Sequence, residues 1–162
     1  MLFRSTPAFT STMATTTPLS LKGRALRLLS AREHSRAELE RKLAQFEEEP
    51  GALAKALDDL QAKGFINEQR VLESVLNRRA AKLGTARIRQ ELQSKGLAPE
   101  AVLDAMEQLR ATEVERAREV WRKKFGEPAT DASDRAKQMR FLASRGFGGE
   151  AIRRVVTSSE DE

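Results

Sequence analysis

Apolar residues recur at helical spacing nearly throughout the stretch from Leu21 to Val156. Leu21, Ala25, Leu26 and Leu29 mark a first helix that stops near His34. Ser35-Arg36-Ala37-Glu38 reads as a capping box, with the Ser35 hydroxyl accepting from the Glu38 amide and the Glu38 carboxylate reaching back. Leu39, Leu43 and Phe46 form the buried stripe of the second helix. Pro50 suits the first position of a third, which carries Leu53, Ala56, Leu57 and Leu60. Asn67 caps a fourth helix with Val71, Leu72, Val75 and Leu76, and Thr85 caps a fifth with Ile88 and Leu92. Pro99 opens a sixth, with Val102, Leu103, Met106 and Leu109. A seventh holds Val114, Ala117, Val120, Trp121 and Phe125 and ends at Gly126. An eighth runs from about Asp134 to Arg145, and a ninth follows Gly148-Gly149 with Ile152, Val155 and Val156.

These helices repeat as triplets. Leu53, Val102 and Ile152 stand 49 and 50 residues apart, and Leu43, Leu92 and Leu142 keep the same intervals. The expected fold is therefore all-α: three tandem three-helix repeats, at 21–66, 67–112 and 113–157, stacked as an elongated curved solenoid around a shared core. A hexapeptide punctuates the chain, as "LQAKGF" from Leu60, "LQSKGL" from Leu92 and "LASRGF" from Leu142. If Gly64, Gly96 and Gly146 are the left-handed residues past helix ends, each following Phe or Leu meets the Leu five residues back, as in a Schellman stop. Lys63, Lys95 and Arg145 then sit at the caps, where a cation suits the negative end of a helix.

Composition excludes several classes. With no cysteine among 162 residues, disulfides and thiolate metal sites are ruled out. The lone histidine, His34, has no partner of metal-ligand spacing, and no Gly-rich phosphate loop occurs. No catalytic constellation and no cofactor are expected, so the protein reads as a non-enzyme. No stretch has the length of a membrane span, which fits a cytoplasmic protein. Residues 1–20 are Ser/Thr-rich and lack a secretory apolar run, so they read as a disordered leader with Met13 an alternative start. Residues 158–162 form an acidic tail.

Charge changes the picture most. The formal net charge is +5, and it is blocked along the chain. Residues 22–45 carry +4, 46–75 carry −4, 76–96 carry +5, 97–119 carry −3 and 120–159 carry +5. Stacked repeats would align the basic blocks along one side as a ridge facing an acidic, periodic partner. The candidate contacts are Arg24, Arg27, Arg32, Arg36 and Arg41 in the first block. Arg78, Arg79, Lys82, Arg87, Arg89 and Lys95 serve the second, and Arg140, Arg145, Arg153 and Arg154 the third. The same charges also complement helix dipoles, with Arg87 and Glu91 spaced as an i,i+4 pair. Trp121 sits at core spacing with Ala117 and Phe125, so base stacking is the weaker reading of it.

The segments "ALRLLSAREHSRAELERKL", "GFINEQRVLESVLNRRA", "GTARIRQELQSKGL" and "FLASRGFGGEAI" together resemble the RecX family of recombination regulators, over about residues 21–156. The resemblance implies three tandem three-helix repeats. It implies a bacterial cytoplasmic protein that lodges in the groove of the RecA–DNA filament and inhibits its ATPase, co-protease and strand-exchange activities, during recombination and the SOS response. Two features depart from the family pattern. Val71 and Val75 stand where aromatics are common, and "FEEEPGA" lacks the glycine stop seen at Gly96 and Gly146. The expected partner is the RecA filament, bound by a monomer that touches single-stranded or duplex DNA weakly. The alternative is a direct DNA-binding module of helix-turn-helix type. Reversing Arg87 and Arg89 to Glu is expected to weaken filament binding and leave helicity unchanged, as co-sedimentation and circular dichroism would show.

Overall fold

The computed structural model describes residues 18–158, so most of the leader and residues 159–162 of the acidic tail lie outside the described residues. Among the described residues all regular structure is helical. The first triplet is α1 (Leu21–Ala31), α2 (Arg36–Leu43, extended by a 3-10 turn at Ala44–Phe46) and α3 (Ala52–Ala62). The second is α4 (Glu68–Arg79), α5 (Thr85–Ser94) and α6 (Pro99–Ala111). The third is α7 (Glu113–Lys124), α8 (Ala132–Ser144) and α9 (Gly149–Ser158).

Local chemistry sets most helix starts. The Ser35–Glu38 capping box forms in both directions. The Asn67 side chain accepts from the Arg70 amide, Pro99 opens α6, and Asp131 accepts from the Asp134 amide at 2.7 Å. Other starts differ from expectation. Gly51, left-handed at φ 85°, precedes α3, so Pro50 lies in the turn before it, and the Glu47 carboxylate accepts from the Leu53 amide at 2.8 Å. Gly84, not Thr85, is the cap residue of α5. Asp131 starts α8 earlier than expected, and Gly149 is already inside α9.

Each triplet closes on its own apolar core. Leu39, Leu43, Leu57 and Leu60 centre the first, and Val75, Ile88, Leu92 and Met106 the second. Ala117, Trp121, Leu142, Ile152 and Val155 centre the third, where the Trp121 indole also donates to Gln138 Oε1 at 2.9 Å. The three clusters share no residue, so the expected shared core is replaced by three separate ones. Phe46 is exposed rather than part of the first core, with its ring under the Arg24 guanidinium at 3.7 Å. Phe65 is exposed as well, although Phe147 at the equivalent position is buried.

The joints between triplets are polar and close-fitting. Gly64, Gly96 and Gly146 all have positive φ, and their amides donate to the carbonyls of Gln61, Gln93 and Ala143, each at 3.0 Å. Two of these stops are also docking points for the preceding triplet. The start of α2 meets the end of α5: a Cβ on Gly96 would lie 2.8 Å from the Ala37 Cβ, and Arg41 Nη2 donates to the Ser94 carbonyl at 2.6 Å. The start of α5 meets the end of α8 in the same way. There Gly84 donates to the Arg145 carbonyl at 2.8 Å, Ala86 to that of Gly146 at 3.3 Å, and Arg87 Nη1 to that of Ser144 at 3.2 Å.

A second link crosses each joint. Arg70 of α4 reaches back to Glu33 and to the Gly64 carbonyl, at 2.9 and 2.7 Å. Arg116 of α7 donates to the carbonyls of Ala80, Leu83 and Leu109 and to the Thr85 hydroxyl. Its neighbour Glu113 accepts from the Thr85 and Gly148 amides, both at 3.3 Å. Thr112 alone separates α6 from α7.

Two glycine substitutions separate backbone strain from joint sterics. A Cβ on Gly51 meets nothing within 4 Å, so Gly51→Ala carries only the left-handed penalty and is expected to cost about 1 kcal/mol. A Cβ on Gly84 would lie 2.2 Å from the Gly146 carbonyl carbon, with backbone on both sides. Gly84→Ala is therefore expected to cost about 2–3 kcal/mol and to loosen the second joint, read by urea unfolding and by amide exchange at residues 84–87 and 145–147.

Candidate functional site

The structure divides the candidate cations into those spent on the fold and those left free. Lys95 is buried, and its Nζ lies 3.0 Å from Glu38 Oε1 across the first joint. Arg32 Nη2 donates to the other Glu38 oxygen at 2.8 Å, and the Ser35 amide donates to Oε1 at 3.2 Å. Burial raises the Glu38 carboxyl, but the bonds from Arg32, Lys95 and Ser35 outweigh it and hold its pKa at about 2. Beside this cluster His34 is buried. Its Nδ1 lies 3.0 Å from the Arg32 carbonyl and its Nε2 3.1 Å from Lys42 Nζ. Only the neutral tautomer protonated on Nδ1 satisfies both neighbours. Burial, more than the charges of Arg32 and Lys42, pushes its pKa down, with the Arg32 carbonyl and Glu38 opposing.

Other candidates are engaged more locally. Arg36 holds Glu40 at 3.0 Å and Asp58 at 2.6 Å. Arg41 and Arg87 serve the joints described above. Glu91 is taken by Arg79 at 3.2 Å and Arg78 at 3.8 Å, from α4, so the Arg87–Glu91 pair expected from spacing gives way to a pairing between helices. Arg154 pairs with Glu150, and Arg153 Nε donates to the Gly149 carbonyl. Arg24 and Arg145 cover the rings of Phe46 and Phe141. Arg27, Lys82, Arg89 and Arg140 are exposed and have no side-chain partner among the described residues.

Two of these four, Lys82 and Arg27, line clefts with other cations. At the second joint Lys82, Lys123, Lys124 and Arg145 surround Ala81, Val120 and Phe141, and no carboxylate lines the cleft. Phe141 lines it, packed edge-on against Phe125 at 5.4 Å, with Lys124 Nζ 5.4 Å from its centroid. On the first triplet Arg24, Arg27 and Lys42 line a smaller cleft over Leu28, Leu43 and Phe46, again without a carboxylate. On the third, Arg118 borders clefts between α7 and α9 that also take in Arg122, Arg153 and Arg154. Among the described residues, no group of three or more His, Cys, Asp or Glu is placed to hold a metal ion. Among the same residues, no helix is long and apolar enough to cross a membrane.

Comparison with known proteins accounts for the triplets in order. The family model described as RecX, first three-helix domain, matches residues 22–60; the second three-helix domain matches 67–106, and the third 111–156. The chain belongs to the RecX family. It is 54% identical over 151 residues to the regulatory protein RecX of Leptothrix cholodnii, covering 93% of this chain and 96% of that one. It is 50% identical to the regulatory protein RecX of Herminiimonas arsenicoxydans, over 88% of this chain and 95% of that one. The crystal structure of RecX from Lactobacillus salivarius shares its fold, with a TM-score of 0.71 at 21% identity over 88% of this chain and 96% of that one.

Within this RecX-family chain, sequence reasoning missed Lys123, Lys124, Arg116 and Arg118. The first two lie in the last turn of α7, where cations complement the helix dipole whatever else they do, so their sequence position carries no distinguishing signal. Arg116 is half-buried, so burial disfavours its charge while Glu113 supports it. No sequence signal distinguishes such an arginine from its exposed neighbours.

The ionic cluster at the first joint carries a pH signature. The folded His34 resists protonation while the unfolded imidazole gains a proton near pH 6.5. Its contribution is therefore complete above pH 6.5 and falls as the pH drops below that value. The Glu38 contribution is complete above its unfolded value of 4.5 and is lost as the pH falls toward 2. Urea midpoints measured from pH 7.5 to 5 should decline, and His34→Gln, which can serve both the Arg32 carbonyl and Lys42, should flatten that decline.

Proposed function

We propose that this chain regulates the RecA recombinase without catalysis. It lodges as a monomer in the groove of the RecA–DNA filament, in the bacterial cytoplasm, and damps ATP hydrolysis, co-protease activity and strand exchange. Family membership supports the choice of RecA. The observation that supports the binding mode is the acid-free cleft of Lys82, Lys123, Lys124 and Arg145 at the second joint, which Phe141 also lines. Four cations without an internal counter-charge raise the local concentration of an anionic partner. The three triplets, with limits at 21–66, 67–112 and 113–157, reach neighbouring filament subunits, and their close-fitting joints resist the relative motion that turnover requires.

The contact set on this reading is Arg27, Lys82, Arg89, Arg140 and Arg145, with Lys123 and Lys124 added. Lys95, Arg32, Arg36, Arg41 and Arg87 hold the fold and act only through it. DNA is touched weakly and without sequence preference.

The test is RecA-catalysed ATP hydrolysis on single-stranded DNA with the purified protein added. Wild-type protein slows turnover and co-sediments with the filament. The double variant Lys82→Glu with Lys124→Glu keeps its thermal midpoint and needs about tenfold more protein for half-inhibition. Unchanged turnover at stoichiometric excess, with no co-sedimentation, overturns the proposal. Tight, sequence-selective binding to duplex DNA in a gel shift without RecA would instead establish the helix-turn-helix reading.

A further inference from the structure

Four large apolar side chains are exposed among the described residues: Leu19, Phe46, Phe65 and Leu103. Two of them, Leu19 and Phe46, line one cleft, on the first triplet. A lone exposed apolar residue needs no explanation, but two at one hollow mark a surface for contact. Leu28 and Leu43 complete its apolar lining, and Arg24, Arg27 and Lys42 supply its charge. The hollow measures about 180 Å³. Small-molecule sites begin at roughly 300 Å³, so it seats one side chain and not a cofactor.

The cations are not consumed by the fold. Arg27 is exposed and has no side-chain partner among the described residues. The Arg24 guanidinium lies over the Phe46 ring at 3.7 Å, and Lys42 Nζ lies 3.1 Å from His34 Nε2, so both are held at the cleft by uncharged groups. Three cations around an apolar hollow are complementary to carboxylates around an apolar anchor. Residues 1–17 cannot answer them, since that stretch contains no Asp or Glu. A nucleic acid fits less well. Base stacking needs an open ring face, whereas Arg24 already covers one face of Phe46 and the other apolar lining is aliphatic.

We propose that this cleft, between α1 and the end of α2, binds an acidic peptide segment of a partner protein. One aliphatic or aromatic side chain of the segment enters the hollow, and carboxylates on either side of it pair with Arg24, Arg27 and Lys42. The cleft shares no residue with the Lys82–Lys124 cleft at the second joint, and only Arg27 belongs also to the filament contacts above. The inference goes beyond the RecA reading, because the segment binds the free protein with no filament present.

A capped peptide, Asp-Glu-Asp-Leu-Glu-Asp-Glu, titrated into the isotope-labelled full chain tests the proposal through amide chemical shifts. The shifts should concentrate at residues 24–28 and 42–46. Replacing the central Leu of the peptide by Ala should weaken binding about tenfold, as should Arg27→Glu in the protein. Phe46→Ala should weaken it about fivefold, and the Lys82→Glu, Lys124→Glu variant should bind as wild type does. Equal affinity for the Ala peptide overturns the proposal. Shifts centred on the Lys82–Lys124 cleft do the same, as does a short oligothymidylate that binds residues 24–28 and 42–46 more tightly than the peptide. Concentration-dependent shifts at these residues without peptide put a second copy in the hollow, and binding that appears only in a chain started at Met13 puts the leader there; either result overturns it. None of these outcomes bears on the ATPase assay, so this site and the RecA reading stand or fall separately.

Discussion

The closest contact between one triplet and the next is made at a helix stop in which glycine alone is at ease. At Gly96 and Gly146 the chain turns left-handed and exposes the last carbonyls of α5 and α8. The beginning of the preceding triplet's second helix then lies directly on that turn, close enough that Ala37 and Arg87 occupy the space of the missing side chains. The carbonyls that a helix end leaves over are satisfied partly by the neighbouring triplet, through Arg41, Gly84, Ala86 and Arg87. The motif that ends a helix is therefore also the socket that receives the preceding unit. Gly64 shares the backbone geometry but ends a third helix, and its carbonyl is taken by Arg70.

This arrangement explains why so much of the positive charge is unavailable to a partner. Polar joints between separate apolar cores need donors that reach carbonyls and carboxylates, and arginine supplies them in a fixed fork. Arg41, Arg70, Arg87 and Arg116 all act this way, and Lys95 neutralises a buried carboxylate at the first joint. The cations left without such a task form a smaller set, several of them where α7 and α8 meet the loop after α4. A basic composition thus reports cohesion between triplets as well as surface charge, and only the latter bears on the proposed partner.

Much of the fold was legible because its signals are local. The Ser35–Glu38 box, Asn67, Pro99 and the glycine stops each act within a few residues, and the apolar spacing needs only the helical period. The misread starts have non-local or composite causes. Gly84 must cap α5 because the Gly146 backbone, more than sixty positions later, leaves no room for a Cβ. Pro50 looked like a helix start, but Gly51 turns the chain after it and Glu47 caps from a distance. The candidate site was less legible than the fold. Whether Arg36 or Arg89 is free depends on whether Asp58 or empty solvent faces it, and no spacing rule encodes that. The merging of Lys82 with Lys123 and Lys124 is likewise a tertiary event.

The two connections between triplets differ in length. Between α3 and α4 the chain runs through Lys63 to Asn67, whereas only Thr112 stands between α6 and α7, tied to Arg116 through its hydroxyl at 3.2 Å. A linkage so short leaves the chain itself little freedom to change the angle between the second and third units, whereas between the first and second that angle is set by side chains, through Arg41, Arg70 and the Lys95–Glu38 pair. Cutting the side chains that bridge the first connection would therefore free one end of the rod, while the other end would keep its angle through the backbone alone.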